Sequence, residues 1–350
     1  SVTGVQTCAL PICEEKRLDH EDMVAIAATV LPATHREKFL EQHEVDLAYS
    51  VAGLGRFRCN TFQQRGTIGM IFRVISFRIS TIDDLRLPTV LKTISAEERG
   101  LVLVTGTTGS GKSTTLAAMI DEINSSRTAH VMTVEDPIEY LHRDNRSIVN
   151  QREIGVDTQS FSAALRSALR QDPDVILVGE MRDYETIETA LVAAETGHLV
   201  FSTLHTLDAV ETVSRIISVF PPHHQSQVRL QLAGVLRAVI SQRLLARADG
   251  MGRVPAVEVM RVTPFIRECI IDPARTTEIR DAIAGGTSQY GMQTFDQAIF
   301  GLYERGLVAL DEALRWASNV DEFRLRVQGV SSGAMGAMGA PSGRPDITRF

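Results

Sequence analysis

Four cysteines, at positions 8, 13, 59 and 269, are all the chain has, and no two stand in CxxC spacing. That indicates neither a zinc knuckle nor a disulfide framework; reduced thiols of a cytosolic protein are the plain reading. A basic surplus is missing too. Against 43 acidic residues stand 36 basic ones, a net charge of −7, which argues against a general nucleic-acid binder. No run of about 18 apolar residues occurs, so no segment reads as a membrane span. Residues 1–12 carry no basic n-region and no initiator Met, and so do not read as a signal peptide. They resemble translated sequencing-adapter read-through, and a non-native leader ahead of a missing native start is expected there; a genuine disordered leader is the alternative.

What is there supports a real core. The chain has 350 residues, 44% of them apolar, enough for one large domain or two ordinary ones. Glu21–Leu31 and His35–Gln42 have helical spacing. Between Val45 and Ile79, short alternating runs (46–51, 55–60 and 69–75) predict antiparallel strands joined by Gly-containing turns. Residues 13–82 are therefore expected to form a small α+β domain, incomplete at its start, with a hinge near Ser80–Pro88.

From Leu101 the rhythm changes. Strands are expected at 101–105, 130–135, 175–179 and 199–204, with helices such as 161–171 and 184–195 between them. That alternation predicts an α/β domain over 83–330 with a mostly parallel sheet covered on both faces. Over Gln225–Leu245, residues Val228, Leu232, Val235, Leu236, Val239 and Ile240 fall at helical spacing and read as a packing face. Later helices are expected at 264–271, 294–305 and 311–317. The Gly/Ala/Met tail at 331–350 is expected to be disordered.

The chemistry begins at Val104-Thr105-Gly106-Thr107-Thr108-Gly109-Ser110-Gly111-Lys112-Ser113-Thr114-Thr115. Gly106, Gly111, Lys112 and Ser113 fit G-x-x-x-x-G-K-[ST], between a predicted strand and a predicted helix. Glycines let backbone N–H groups turn inward on phosphate oxygens, and the helix N-terminus adds positive potential. Lys112 suits the β- and γ-phosphates of ATP, and Ser113 suits Mg²⁺.

Hydrolysis needs more than a P-loop, and the following strand ends supply candidates. Asp136 and Glu139, three apart after one strand, could divide two tasks: one holding a metal-bound water, the other orienting or activating the attacking water. An ordinary acidic loop is the alternative. Val175–Glu180 has the form of a Walker B strand with Gly179 in the usual Asp position, leaving Glu180 to meet Mg²⁺, through water. His205 ends another strand, as a γ-phosphate sensor or as a structural histidine. Arg56, Arg58, Arg65 and Arg73 cluster in the N-terminal strands; Arg58 and Arg73 are the candidate phosphate contacts, against solvated strand faces as the alternative.

Taken together, Gly106–Thr115, Thr133–Tyr140, Gln151–Gly155, Leu169–Asp183 and Ala194–Thr206, with 291–297 and 312–315, resemble the secretion ATPase superfamily. Within it, they resemble the twitching-motility retraction ATPases (PilT-like), over roughly residues 20–328. The resemblance implies a RecA-like ATPase domain and a PAS-like N-terminal domain, assembled as a homo-hexamer. It implies that Glu139 is the catalytic glutamate, that Glu180 is the atypical Walker B acid, and that His205 lies near the nucleotide; Gly179 is normal for the family.

The function it implies is ATP-driven type IV pilus retraction at the inner face of the cytoplasmic membrane, with an inner-membrane platform protein as partner, membrane contact only through partners, and no nucleic acid. A pilus-extension or type II secretion ATPase is the competing enzyme reading; those usually carry a tetracysteine zinc site, which the four cysteines do not supply. A nucleotide-binding accessory subunit with little turnover is the other. Two departures stand out: the family's early strands bearing Ser-Asp-Leu-His are absent. Its segment Ala-Ile-Arg-Asn-Leu-Ile-Arg-Glu appears as Pro264-Phe265-Ile266-Arg267-Glu268.

Overall fold

The computed structural model describes residues 18–51, 55–75 and 78–329. The expected leader at 1–12, the expected tail at 331–350, and Cys8 and Cys13 lie outside them. Helices His20–Val30 and Ala33–Gln42 pack on a three-stranded antiparallel sheet of β1 (Glu44–Val51), β2 (Gly55–Gln64) and β3 (Thr67–Ile75). The first helix starts on a reciprocal Asp19–Asp22 capping box. Ala27, Val30, Leu31, Phe39, Val45, Leu47 and Cys59 form the small core between helices and sheet.

The larger part is an α/β fold of the RecA-like kind. Its strands are β4 (Gly100–Thr105), β5 (His130–Glu135), β6 (Ile148–Glu153), β7 (Val175–Val178), β8 (Leu199–Leu204), β9 (Leu236–Ala246) and β10 (Arg253–Arg261). They order as β10-β9-β4-β8-β7-β5-β6. All neighbours are parallel except β9 and β10. Every residue of β4, β7 and β8 is buried, as a sheet covered on both faces requires. One core layer contains Leu103, Ile176, Val200 and Val239; the other contains Val102, Ile120, Phe201 and Ile240.

One expectation changes. Gln225–Leu245 is not one helix. Helix Gln225–Val235 ends at Leu236, whose φ −62 and ψ 130 turn the chain directly into β9. Because β9 lies between β4 and β10 with both faces covered, its apolar run has no period that separates strand from helix. The segment at Ser80–Pro88, where a hinge is expected, packs on the core at its apolar side chains. Thr81 and Asp84 exchange backbone–side-chain hydrogen bonds of 3.1 Å. Ile82 and Leu87 are buried with Val102 and Ile120.

Candidate functional site

Because β4, β5, β7 and β8 run parallel, their carboxyl ends share one edge of the sheet, and the segments leaving them build the site. After β4 the chain enters the P-loop. Gly106 has φ 142, Gly109 φ 80 and Gly111 φ 95, a conformational run that only glycine adopts without strain. At Gly106 space is also exhausted: a Cβ would lie 2.5 Å from Ser110 Oγ and 2.6 Å from the Gln242 carbonyl of β9. Ser110 N–H donates to the Thr107 carbonyl at 3.1 Å, closing a tight turn. Thr107, Thr108 and Gly109 form the exposed rim of the loop, and Ser113 and Thr114 are half-buried in the first turn of helix Lys112–Ser126.

The Lys112 ammonium is buried and donates to the carbonyls of Gly106, at 2.8 Å, and Thr107, at 3.1 Å. Burial pushes its pKa down, while the carboxylates of Glu180 and Glu139 pull it back up. Lys112, Glu180 and Glu139 therefore share one electrostatic neighbourhood. From β9, Ser241 Oγ accepts from Thr105 Oγ1 at 2.9 Å and Gln242 Nε2 donates to Thr115 Oγ1 at 2.8 Å, fixing both flanks of the loop. The Ser110 hydroxyl and Gln242 Oε1 are buried without a protein partner, so polar capacity remains inside the loop.

Glu180 follows β7 and is bridged on both sides: Arg182 Nε at 2.6 Å and His205 Nε2 at 3.3 Å. His205 leaves the end of β8 half-exposed. Gly179 has a steric reason for not being Asp. A Cβ there would sit 3.3 Å from the Val134 carbonyl and 3.4 Å from Glu135 Cα, against the neighbouring strand.

The segment after β5 carries Asp136 and Glu139, both exposed. Tyr140 ties it to the P-loop helix through a 2.8 Å hydroxyl–hydroxyl bond to Thr114. Gln151 of β6 donates to the Tyr140 carbonyl at 2.9 Å and accepts from His142 N–H at 2.9 Å. Glu135 beneath the segment accepts from Thr133 at 2.6 Å and Gln151 at 3.1 Å, and desolvation keeps its carboxyl above the usual range. Sequence reasoning missed Glu135, Tyr140, Ser241 and Gln242. The signal was present for Tyr140, which stands next to Glu139, and hidden for the β9 pair by the helix reading.

The N-terminal arginines divide. Arg65 sits at the β2–β3 turn with φ 52. Arg56 pairs with Glu153 of β6 at 2.8 Å. Arg58 and Arg73, adjacent across β2 and β3, line a cleft of about 190 Å³ with Pro137, Ile138, Glu139 and Tyr140 of the same chain. Asp136 lines a second, adjoining cleft with Arg58, His35 and Lys38. Among the described residues no group of His, Cys, Asp and Glu has metal-holding geometry by itself, and no helix is long and apolar enough to cross a membrane.

A mostly parallel sheet with a P-loop at its carboxyl edge, faced by two acids and a histidine, defines a RecA-like P-loop ATPase core. Residues 72–308 match the model of the family described as Type II/IV secretion system protein, and the chain belongs to that family. It is 47% identical over 306 residues to the Pseudomonas aeruginosa protein named Type IV pilus retractation ATPase PilT, covering 87% of this chain and 88% of that one. It is 48% identical over 286 residues to the Neisseria gonorrhoeae Twitching motility protein, covering 81% and 76%. The crystal structure of the pilus retraction motor PilT with bound ADP superposes with a TM-score of 0.80 at 46% identity, covering 86% of this chain and 85% of that one.

Proposed function

We propose that the chain is one subunit of a hexameric motor that hydrolyses ATP to retract a type IV pilus. The observation that carries the reading is that one edge of the parallel strands gathers the P-loop, the Glu139 segment, tied to the P-loop helix by the Tyr140–Thr114 bond, and the Glu180–His205 pair. Nucleotide binding alone requires no such acids.

In this reading the P-loop N–H groups and Lys112 hold the phosphates. Glu139 orients a water and takes its proton as oxygen attacks the terminal phosphorus; the bond to the ADP oxygen breaks. Arg58 and Arg73, on the far wall of the cleft containing Glu139, meet the charge on the transferred group. His205 holds Glu180 and reports on the terminal phosphate. Asp136, on the same segment as Glu139, would hold a metal-bound water. The donor set fits Mg²⁺: the Ser113 hydroxyl would hold it, with Glu180, whose oxygens are already engaged by Arg182 and His205, reaching it through water. When bound, Mg²⁺ neutralises phosphate charge.

Turning of the N-terminal sheet against the ATPase core would then work on an inner-membrane platform protein, from the cytoplasmic side and without nucleic acid. The names of the relatives support pilus retraction and twitching as the output. The test is Glu139→Gln. Turnover should fall about 100-fold or more with ADP affinity retained; equal rates remove Glu139 as the base. In a twitching bacterium lacking its retraction ATPase, the unaltered chain should restore twitching and the variant should not.

A further inference from the structure

Glu153 ends β6, outside the P-loop, the Glu139 segment and the Glu180–His205 pair. Its carboxylate is 4% exposed. One oxygen, Oε2, accepts from two directions: from Arg56 Nη2 of β2 at 2.8 Å and from the Ile138 backbone N–H at 3.2 Å. Ile138 is the residue before Glu139. A single carboxylate oxygen therefore joins the N-terminal sheet to the segment that bears the proposed base. Arg56 Nε is buried without a protein partner, so the pair to Glu153 is the anchor of that guanidinium. Below, Glu153 N–H donates to Asp157 Oδ2 at 2.8 Å, which fixes the acid to its own turn.

We propose that Glu153 is a positioning residue that transmits the placement of the N-terminal sheet, through Arg56, to the Asp136–Tyr140 segment. A charged acceptor holds an amide firmly only while its charge is countered; when Arg56 moves away, the buried carboxylate is left unpaired and its hold on Ile138 changes. The site then becomes competent or not according to where β2 sits. Gln151 holds the same segment, at Tyr140 and His142, but touches no residue of the N-terminal sheet among its described bonds. It supplies the internal comparison. The effect on turnover rests on Glu139 being the base; the coupling itself does not.

The test uses the full chain with Mg²⁺ and ADP, measuring amide hydrogen exchange across 136–140 alongside ATPase kinetics. Arg56→Gln, a change in another sheet, should speed exchange there about tenfold and lower kcat by a similar factor with KM for ATP little changed. Glu153→Gln should do the same, and the double variant should be no worse than either single. Arg56→Lys, which keeps the charge, should recover most of the protection and guards against a folding failure of the glutamine variant. Unchanged exchange in Arg56→Gln, or additive effects in the double variant, overturns the proposal. If Glu139→Gln leaves turnover intact while Arg56→Gln still loosens 136–140, the base assignment fails and the coupling stands.

Discussion

Arg58 and Arg73 are direct partners across the antiparallel β2–β3 pair, on the same face of the sheet. Like charges so placed repel and weaken the pairing. Both project where Glu139 and Tyr140 form the opposite wall of one cleft. The arrangement costs the sheet stability and gives the cleft two guanidinium groups, as a site for a dense anionic group needs.

Neutralising one of the two should therefore separate stability from activity. Arg73→Gln is expected to leave the fold as stable or raise it by a few tenths of a kcal/mol, and to lower kcat about 100-fold or more if the group meets transferring phosphoryl charge. Thermal unfolding and steady-state ATPase assays check it together. A loss of stability with full turnover would return both arginines to the solvated-face reading.

Gly106 and Gly109 are both in positive-φ backbone, but only the first is crowded. An Ala at 106 meets Ser110 Oγ and the Gln242 carbonyl within 2.6 Å, whereas nothing lies within 4 Å of a Cβ at 109. Gly106→Ala should cost about 2 kcal/mol or more in stability and abolish binding of a fluorescent ADP analogue. Gly109→Ala should cost less, about 1 kcal/mol, with binding weakened. Equal effects would mean that loop conformation alone, and not the approach of β9, governs the site.

Glu258 of β10 gives the fold a pH dependence. Burial raises its carboxyl pKa from 4.5 to about 7, against the lowering effect of the Ala209 N–H that it accepts; Asp208 adds to the rise and Arg243 opposes it. The folded chain thus holds a proton that the unfolded chain has released, so this group's contribution falls as pH rises from 4.5 to about 7 and stays low above. Glu258→Gln should stabilise the chain at pH 8 by on the order of 2 kcal/mol and much less at pH 5. His142 acts with the opposite sign. Burial lowers its pKa from 6.5 to about 4, so its contribution is lost as pH falls through that range. Urea unfolding of wild type and variant at both pH values isolates Glu258; an equal gain at both would rule out the proton as the cause.

The gathering of the candidate site residues at one edge was legible because parallel strands bring their ends together whatever lies between. Once strands were placed ahead of Lys112, Glu139, Glu180 and His205, one edge had to collect the segments that bear them. What tertiary packing decides was not legible. β6 is an edge strand whose Asn150-Gln151-Arg152-Glu153 carries little apolar pattern, so Glu153 stood in a motif without a role. β10, with Pro255 inside it, is tolerated at the opposite edge. β9 is buried on both faces, and its apolar run fits a helix as well as a strand. The partners that brace the P-loop, Ser241 and Gln242, were lost with it.

Helix Gln225–Val235 passes into β9 without a single intervening residue. Most helices in the fold are joined to their strands by loops, which absorb displacement like slack in a cable. Here there is none: a tug on the helix arrives at Ser241 and Gln242, hence at the flanks of the P-loop, through covalent backbone and sheet hydrogen bonds. The nucleotide compartment is thus mounted on a stiff transmission rod, so that a mechanical load reaching the helix would be felt where nucleotide is held.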